Sequence, residues 1–130
     1  MFPPTTHILV VDDFASIREV VVKSCTELGF TKITQAENIQ GAWEKLISAD
    51  PPIDLILSDW NMPGGTGIDL LKRVRAEPKY KTIPLVLITT ENEKARIIEA
   101  ITAGASNYIV KPFTTDGLKQ KLEAVFKAKK

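Results

Sequence analysis

A chain of 130 residues, 44% hydrophobic and 25% charged, has room for one domain of two or three layers and for no second folded module. A formal net charge of +1 excludes the basic excess of a nucleic-acid binder, and a lone cysteine, Cys25, excludes an internal disulfide. Met1 to Thr6 lack the charged and apolar regions of a leader, and no apolar run is long enough to span a bilayer; a cytoplasmic monomer with no membrane or nucleic-acid partner is expected.

The first apolar run is Ile8 to Val11. Ile17, Val20, Val21, Cys25 and Leu28 follow at three- and four-residue steps, which predicts an amphipathic helix ended by Gly29. A weaker strand is expected over Ile33 to Ala36. A helix over Ile39 to Ala49 is built on Ala42, Trp43, Leu46 and Ile47 and stopped by Asp50-Pro51-Pro52. The third strand is Leu55 to Ser58, followed by a Pro- and Gly-rich loop from Asp59 to Gly67. A helix with Ile68, Leu71 and Val74 ends before Pro78. The fourth strand, Leu85 to Thr89, leads to a helix over Asn92 to Ala103 closed by Gly104. The fifth strand is Tyr108 to Val110, and the last helix carries Leu118, Leu122, Val125 and Phe126. His7 is read as structural or solvated, and Trp43 as helix packing.

Strands alternating with helices predict an α/β fold: a doubly wound, five-stranded parallel sheet with helices on both faces, forming a single domain over residues 1–130. The strands are apolar throughout, as burial on both faces requires. Of the two common strand orders we take 2-1-3-4-5, the flavodoxin-like one, on precedent rather than by derivation.

In such sheets ligands bind beyond the carboxyl ends of the strands, where the strand order reverses, here between strands one and three. Strand one runs into Asp12-Asp13, strand three into Asp59, strand four ends at Thr89 and strand five leads to Lys111. Crowded carboxylates repel unless a cation intervenes. Hard oxygens of this kind suit Mg²⁺, and the lack of a Cys/His cluster argues against zinc. Lys111 can pair with a phosphate, and Thr89 can hydrogen-bond one of its oxygens. A carboxylate beside Mg²⁺ can attack phosphorus and form an aspartyl phosphate. Taken singly, Asp12-Asp13 could be helix caps, Asp59 a turn residue and Lys111 a solvated charge. Jointly, those plainer readings need several coincidences at one edge.

Four segments carry a family resemblance: Val10-Val11-Asp12-Asp13-Phe14, Ser58-Asp59-Trp60-Asn61-Met62-Pro63, Thr89-Thr90-Glu91, and Ala103-Gly104-Ala105 through Tyr108-Ile109-Val110-Lys111-Pro112-Phe113. In order and spacing they resemble response-regulator receiver domains, above all those of chemotaxis. The resemblance implies that Asp59 is the phosphoacceptor, with Thr89 and Lys111 acting on the phosphoryl group. It implies a Mg²⁺ site of Asp12, Asp13, Asp59 and the Asn61 backbone carbonyl. Thr89 and Tyr108 match a switch pair, and the Lys111-Pro112 bond matches a cis peptide. Asn61, Thr90 and Glu91 sit where the family tunes rates. Thr90 stands where a smaller residue is usual, and its β-branch narrows access. Gly64-Gly65-Thr66-Gly67 departs from the usual loop and carries extra backbone freedom.

The implied protein is a stand-alone response regulator of a two-component, chemotaxis-type system. It takes a phosphoryl group from a histidine kinase, loses it with or without a phosphatase, and changes affinity for a target such as a flagellar motor switch protein. It is not an enzyme, although it takes part in its own phosphorylation and dephosphorylation. The alternative in the same class is a single-domain phosphorelay intermediate or phosphate sink. A haloacid-dehalogenase-type phosphatase would need an Asp where Asn61 stands, and a flavin carrier would need a hydroxyl-rich loop where Asp12-Asp13 stands. The output face is expected to hold Ile97, Tyr108 and Lys121, with Ile98 packed inward and Ile97 near solvent.

Overall fold

The computed structural model describes residues 2–62, 65–89, 94–111 and 113–128. Along the chain lie β1 (His7–Val11), α1 (Ala15–Glu27), β2 (Lys32–Ala36), α2 (Ile39–Ser48), β3 (Leu55–Asp59), β4 (Asn61–Met62), β5 (Gly65–Thr66), α3 (Gly67–Ala76), β6 (Leu85–Thr89), α4 (Lys94–Ala103), β7 (Asn107–Val110) and α5 (Thr115–Ala128). Five strands form a parallel sheet in the order β2-β1-β3-β6-β7, which is the order expected. The loop after Asp59 holds an unexpected element: β4 and β5 pair antiparallel, Asn61 with Thr66 and Met62 with Gly65.

Alternate strand residues build two cores. Leu9, Val11, Ile56, Leu85 and Leu87 face Ala42 and Leu46 of α2, Leu70 and Val74 of α3, and Ala100 of α4. Ile8, Val10, Leu55, Leu57, Val86 and Ile109 face Val21 and Cys25 of α1 and Leu118, Leu122 and Val125 of α5. Each such large aliphatic side chain contributes roughly 1.5–3 kcal/mol by leaving water. Burial pushes the Cys25 thiol up to about 12, so it supplies no thiolate.

Some apolar residues of the helices turn outward instead of inward. Val20 and Ile47 are exposed, because Val21 and Leu46 beside them take the core positions. The inward placement of Ile98 is overturned: Ile98 and Ile101 are each 53% exposed, while Ile97 is half-buried. The reason is Ala100, which anchors α4 in the core; Ile97 lies three residues before it on the same helix face.

Side-chain contacts beyond the sheet also tie elements together. Arg75 of α3 donates from Nε to the Gly104 carbonyl at 3.0 Å and from Nη1 to the Ile83 carbonyl at 2.6 Å. Phe2, ahead of β1, is buried with its ring edge-on to Phe126 of α5 at 5.2 Å between centroids. His7 lies inside β1 and is buried, with Nδ1 2.7 Å from the Pro51 carbonyl and Nε2 2.6 Å from Thr34 Oγ1, a structural role. Among the described residues no helix is long and apolar enough to cross a membrane.

Candidate functional site

The carboxyl ends of β1 and β3 are adjacent, and their residues make the centre of the site. Asp12 follows β1; its N–H donates to the Ala36 carbonyl at 3.1 Å, which continues the β1–β2 ladder. Each of its carboxylate oxygens has a partner. Oδ1 accepts the Phe14 N–H at 3.0 Å, and Oδ2 lies 3.4 Å from Lys111 Nζ. Asp59 closes β3, and its Oδ1 accepts both the Trp60 N–H at 2.9 Å and Lys111 Nζ at 3.1 Å. The acidic pair does not cap α1: the N-cap residue is Phe14, with no side-chain cap.

Asp13 differs from its neighbour. Its Oδ1 is buried without a hydrogen-bond partner among the described residues. Asp12, Asp13 and Asp59 each offer an oxygen within 4.8 Å of the others. A buried acceptor left unpaired costs about 1–3 kcal/mol, and more when charged. Three carboxylates against one ammonium leave two negative charges uncompensated. A hard divalent cation satisfies both demands, and an all-oxygen donor set suits Mg²⁺. The residues present therefore fit the metal that the family resemblance implies.

Asp59 carries the electrostatic strain. Burial, the largest cause, raises its pKa above the usual carboxylate value, and the charge of Asp12 adds to this. The Lys111 hydrogen bond and charge and the Trp60 N–H oppose the shift without cancelling it.

Thr89 ends β6, buried, and its carbonyl accepts the Lys111 N–H at 2.7 Å, so the hydroxyl-bearing and ammonium-bearing segments are tied beside each other. Asn61 opens β4, two residues beyond Asp59. Tyr108 lies on β7, half-buried against the core, with Lys121 Nζ of α5 4.6 Å from its ring centroid. Ile97 is on α4. The site thus gathers Asp12, Asp13, Asp59, Thr89 and Lys111, while Tyr108, Ile97 and Lys121 lie on the α4, β7 and α5 elements. Thr90, Glu91 and the Lys111-Pro112 bond fall outside the described residues, as does the start of the fourth helix at Asn92.

Sequence reasoning missed three contributors. A Cβ on Gly67 would stand 2.5 Å from the Asp59 carbonyl oxygen and 2.7 Å from Leu87 Cδ2. Only glycine lets the start of α3 approach the acceptor's backbone this closely, and Gly67 N–H donates to the Trp60 carbonyl at 2.7 Å. Arg18 Nη1 donates to the Asp12 carbonyl at 2.8 Å and braces that turn. The Trp60 N–H on Asp59 is a backbone donor and leaves no mark in residue identity. Gly67 was visible as a glycine, but its role depends on Leu87 across the sheet.

The response regulator receiver domain model matches residues 8–123. The chain is 47% identical over 118 residues to the chemotaxis protein CheY1 of Helicobacter pylori strain J99, covering 91% of this chain and 94% of that one. It is 44% identical over 119 residues to the chemotaxis protein CheY of Pseudomonas aeruginosa, covering 92% and 94% respectively. Among solved structures, the chemotaxis response regulator CheY4 of Vibrio cholerae superposes with a TM-score of 0.84 at 34% identity, covering 93% of this chain and 98% of that one. A two-component response regulator from Clostridium difficile does so with a TM-score of 0.82 at 28% identity, covering 95% and 97%. With the acidic triad, the lysine and the sheet order already in place, these likenesses lead to one conclusion: the chain belongs to the response regulator receiver domain family.

Proposed function

We propose that this receiver is a phosphoryl-accepting switch of a chemotaxis pathway, with Asp59 as the acceptor and a phosphohistidine of a kinase as the donor. The observation that carries the reading is the convergence of Lys111 on Asp59 and Asp12 beside an Asp13 Oδ1 that has no partner among the described residues. An oxygen of the Asp59 carboxylate attacks phosphorus in line. The P–N bond to the donor imidazole breaks, and its electron pair and a proton end on the imidazole nitrogen. Asp13, Asp59 and the Asn61 carbonyl would hold Mg²⁺, with Asp12 at its side. When bound, the ion neutralises charge on the transferring group. Lys111 passes from Asp59 to a phosphoryl oxygen, as a point charge suited to phosphate. Thr89 turns its hydroxyl to another oxygen, and the space it leaves is taken by Tyr108.

Reset is hydrolytic: water attacks phosphorus, phosphate departs and the Asp59 carboxylate returns. The phosphorylated state that persists between transfer and hydrolysis is itself the output, so the chain acts as a switch that takes part in its own phosphorylation and dephosphorylation. The output is a changed affinity of the α4–β7–α5 side for a target, proposed to be a flagellar motor switch protein; it is a shift of a two-state equilibrium. The test is intact-mass spectrometry after incubation with acetyl phosphate and Mg²⁺. One phosphoryl group is expected on the wild type and none on Asp59→Asn. Phosphate mapped to a serine, threonine or histidine would overturn the assignment.

A further inference from the structure

The β4–β5 hairpin carries Asn61 two residues beyond Asp59, and helices α2 and α3 support it. On one side, Thr66 caps α3 reciprocally: Thr66 N–H donates to Asp69 Oδ2 at 2.9 Å and Asp69 N–H to Thr66 Oγ1 at 3.2 Å. Gly67 N–H on the Trp60 carbonyl closes the hairpin's base. On the other side stands Ile39, the first residue of α2. A Cβ placed on Gly65 would overlap the Ile39 Cδ1 methyl and come within 3.2 Å of Asp69 Oδ2. Ile39 is half-buried and packs on the core, and Asn38 fixes its helix end by accepting the Gly41 N–H at 2.7 Å. The Ile39 methyl therefore occupies the volume a side chain at residue 65 would fill. Gly65 faces Met62 in the hairpin register, directly after the Asn61–Thr66 pair.

We propose that Ile39 is a positioning residue for the divalent-cation site: seated over Gly65, it fixes the hairpin and with it the Asn61 carbonyl beside Asp13 and Asp59. This rests on the cation reading above. It makes α2, which contributes no ligand, a determinant of cation affinity. Among the described residues, the Thr66–Asp69 capping box and the Ile39 side chain wall the hairpin from two sides. Truncating Ile39 removes one of them and leaves every ligand in the chain.

The experiment is a Mg²⁺ titration read by Trp60 fluorescence, because Trp60 adjoins Asp59 and is buried. Wild type, Ile39→Ala, Ile39→Leu, Gly65→Ala and the double variant Gly65→Ala/Ile39→Ala are compared. Leu46→Ala is the control, since it truncates a core residue of the same helix. Ile39→Ala is expected to weaken Mg²⁺ by about tenfold, the lower end of the effect of removing a ligand's support. Ile39→Leu, which keeps a terminal methyl, restores affinity toward wild type, and Leu46→Ala leaves it unchanged despite lower stability. Gly65→Ala weakens binding by displacing Ile39, so the double variant loses less than the two single losses combined. Unchanged affinity in Ile39→Ala, an equal loss in Leu46→Ala, or simple additivity would each overturn the proposal and leave the cation reading standing. A wild type that gives no saturable Mg²⁺ response would overturn both.

Discussion

At the scale of single residues, burial of Asp59 sets a pH dependence whose sign can be worked out. Its pKa is raised in the fold above the ordinary value of 3.8. Below that value both folded and unfolded chains are protonated and Asp59 contributes nothing. As pH climbs between the ordinary and the raised value, the unfolded chain ionises first and stability falls. Above the raised value the whole penalty remains. In chelator, Asp59→Asn is therefore expected to melt higher than wild type near neutral pH, with the difference closing below about pH 4. Calorimetric melting across pH checks it; an equal Tm at every pH would mean that Lys111 fully compensates the buried charge. Gly67 gives a second expectation. Gly67→Ala pushes a methyl against the Asp59 carbonyl and Leu87 and should cost about 1–3 kcal/mol of stability in urea unfolding. Asp12 and Asp13 show where residue-level reading stops. They are chemically identical neighbours, yet one is consumed by Lys111 and the Phe14 N–H, while the other keeps a buried oxygen open. Only the direction of the chain leaving β1 separates them.

At the scale of elements, legibility tracked periodicity. The central strands β1, β3 and β6 are buried on both faces and the helices keep their spacing, so these elements could be read from the sequence, whereas the sheet order rested on precedent. Two-residue strands have no period, which is why β4 and β5 were read as loose loop. Two of the glycines there are held, Gly65 under Ile39 and Gly67 under Asp59. Helix rotation was equally hidden: in α4 the run Ile97-Ile98 is apolar twice over, and the small Ala100 decides which isoleucine turns in. Arg75 raises a prediction of its own. It joins α3 to the end of α4 and to the segment before β6 through two carbonyls, and its partial burial lowers its pKa. Arg75→Ala leaves both carbonyls without that donor and is expected to cost about 1–3 kcal/mol, with faster amide exchange at the carboxyl end of α4. Unaltered exchange there would show that Arg75 does not hold α4.

At the scale of the molecule, the acidic edge and the proposed output side are joined through β6 and β7. Thr89 and Tyr108 lie on these paired strands, and Lys121 covers the Tyr108 ring. Ile98 and Ile101 add exposed apolar surface on α4. If the α4–β7–α5 side is the output, Tyr108→Ala or Ile101→Asp should weaken binding of the phosphorylated chain to a motor switch peptide by about tenfold. Phosphorylation of Asp59 should persist in both, and titration calorimetry with mass spectrometry separates the two effects. Unchanged affinity in both variants would move the output elsewhere. The Phe2–Phe126 contact has a different consequence. Phe2 precedes β1, and α5 ends near the starts of the strands, where Val125 and Ala128 border Pro84 and Ser106. Both ends of the described chain thus lie at the pole opposite Asp59. A dye or a capture surface attached at Ala128 hangs below the sheet, and an immobilised molecule still presents its acidic edge to the solution.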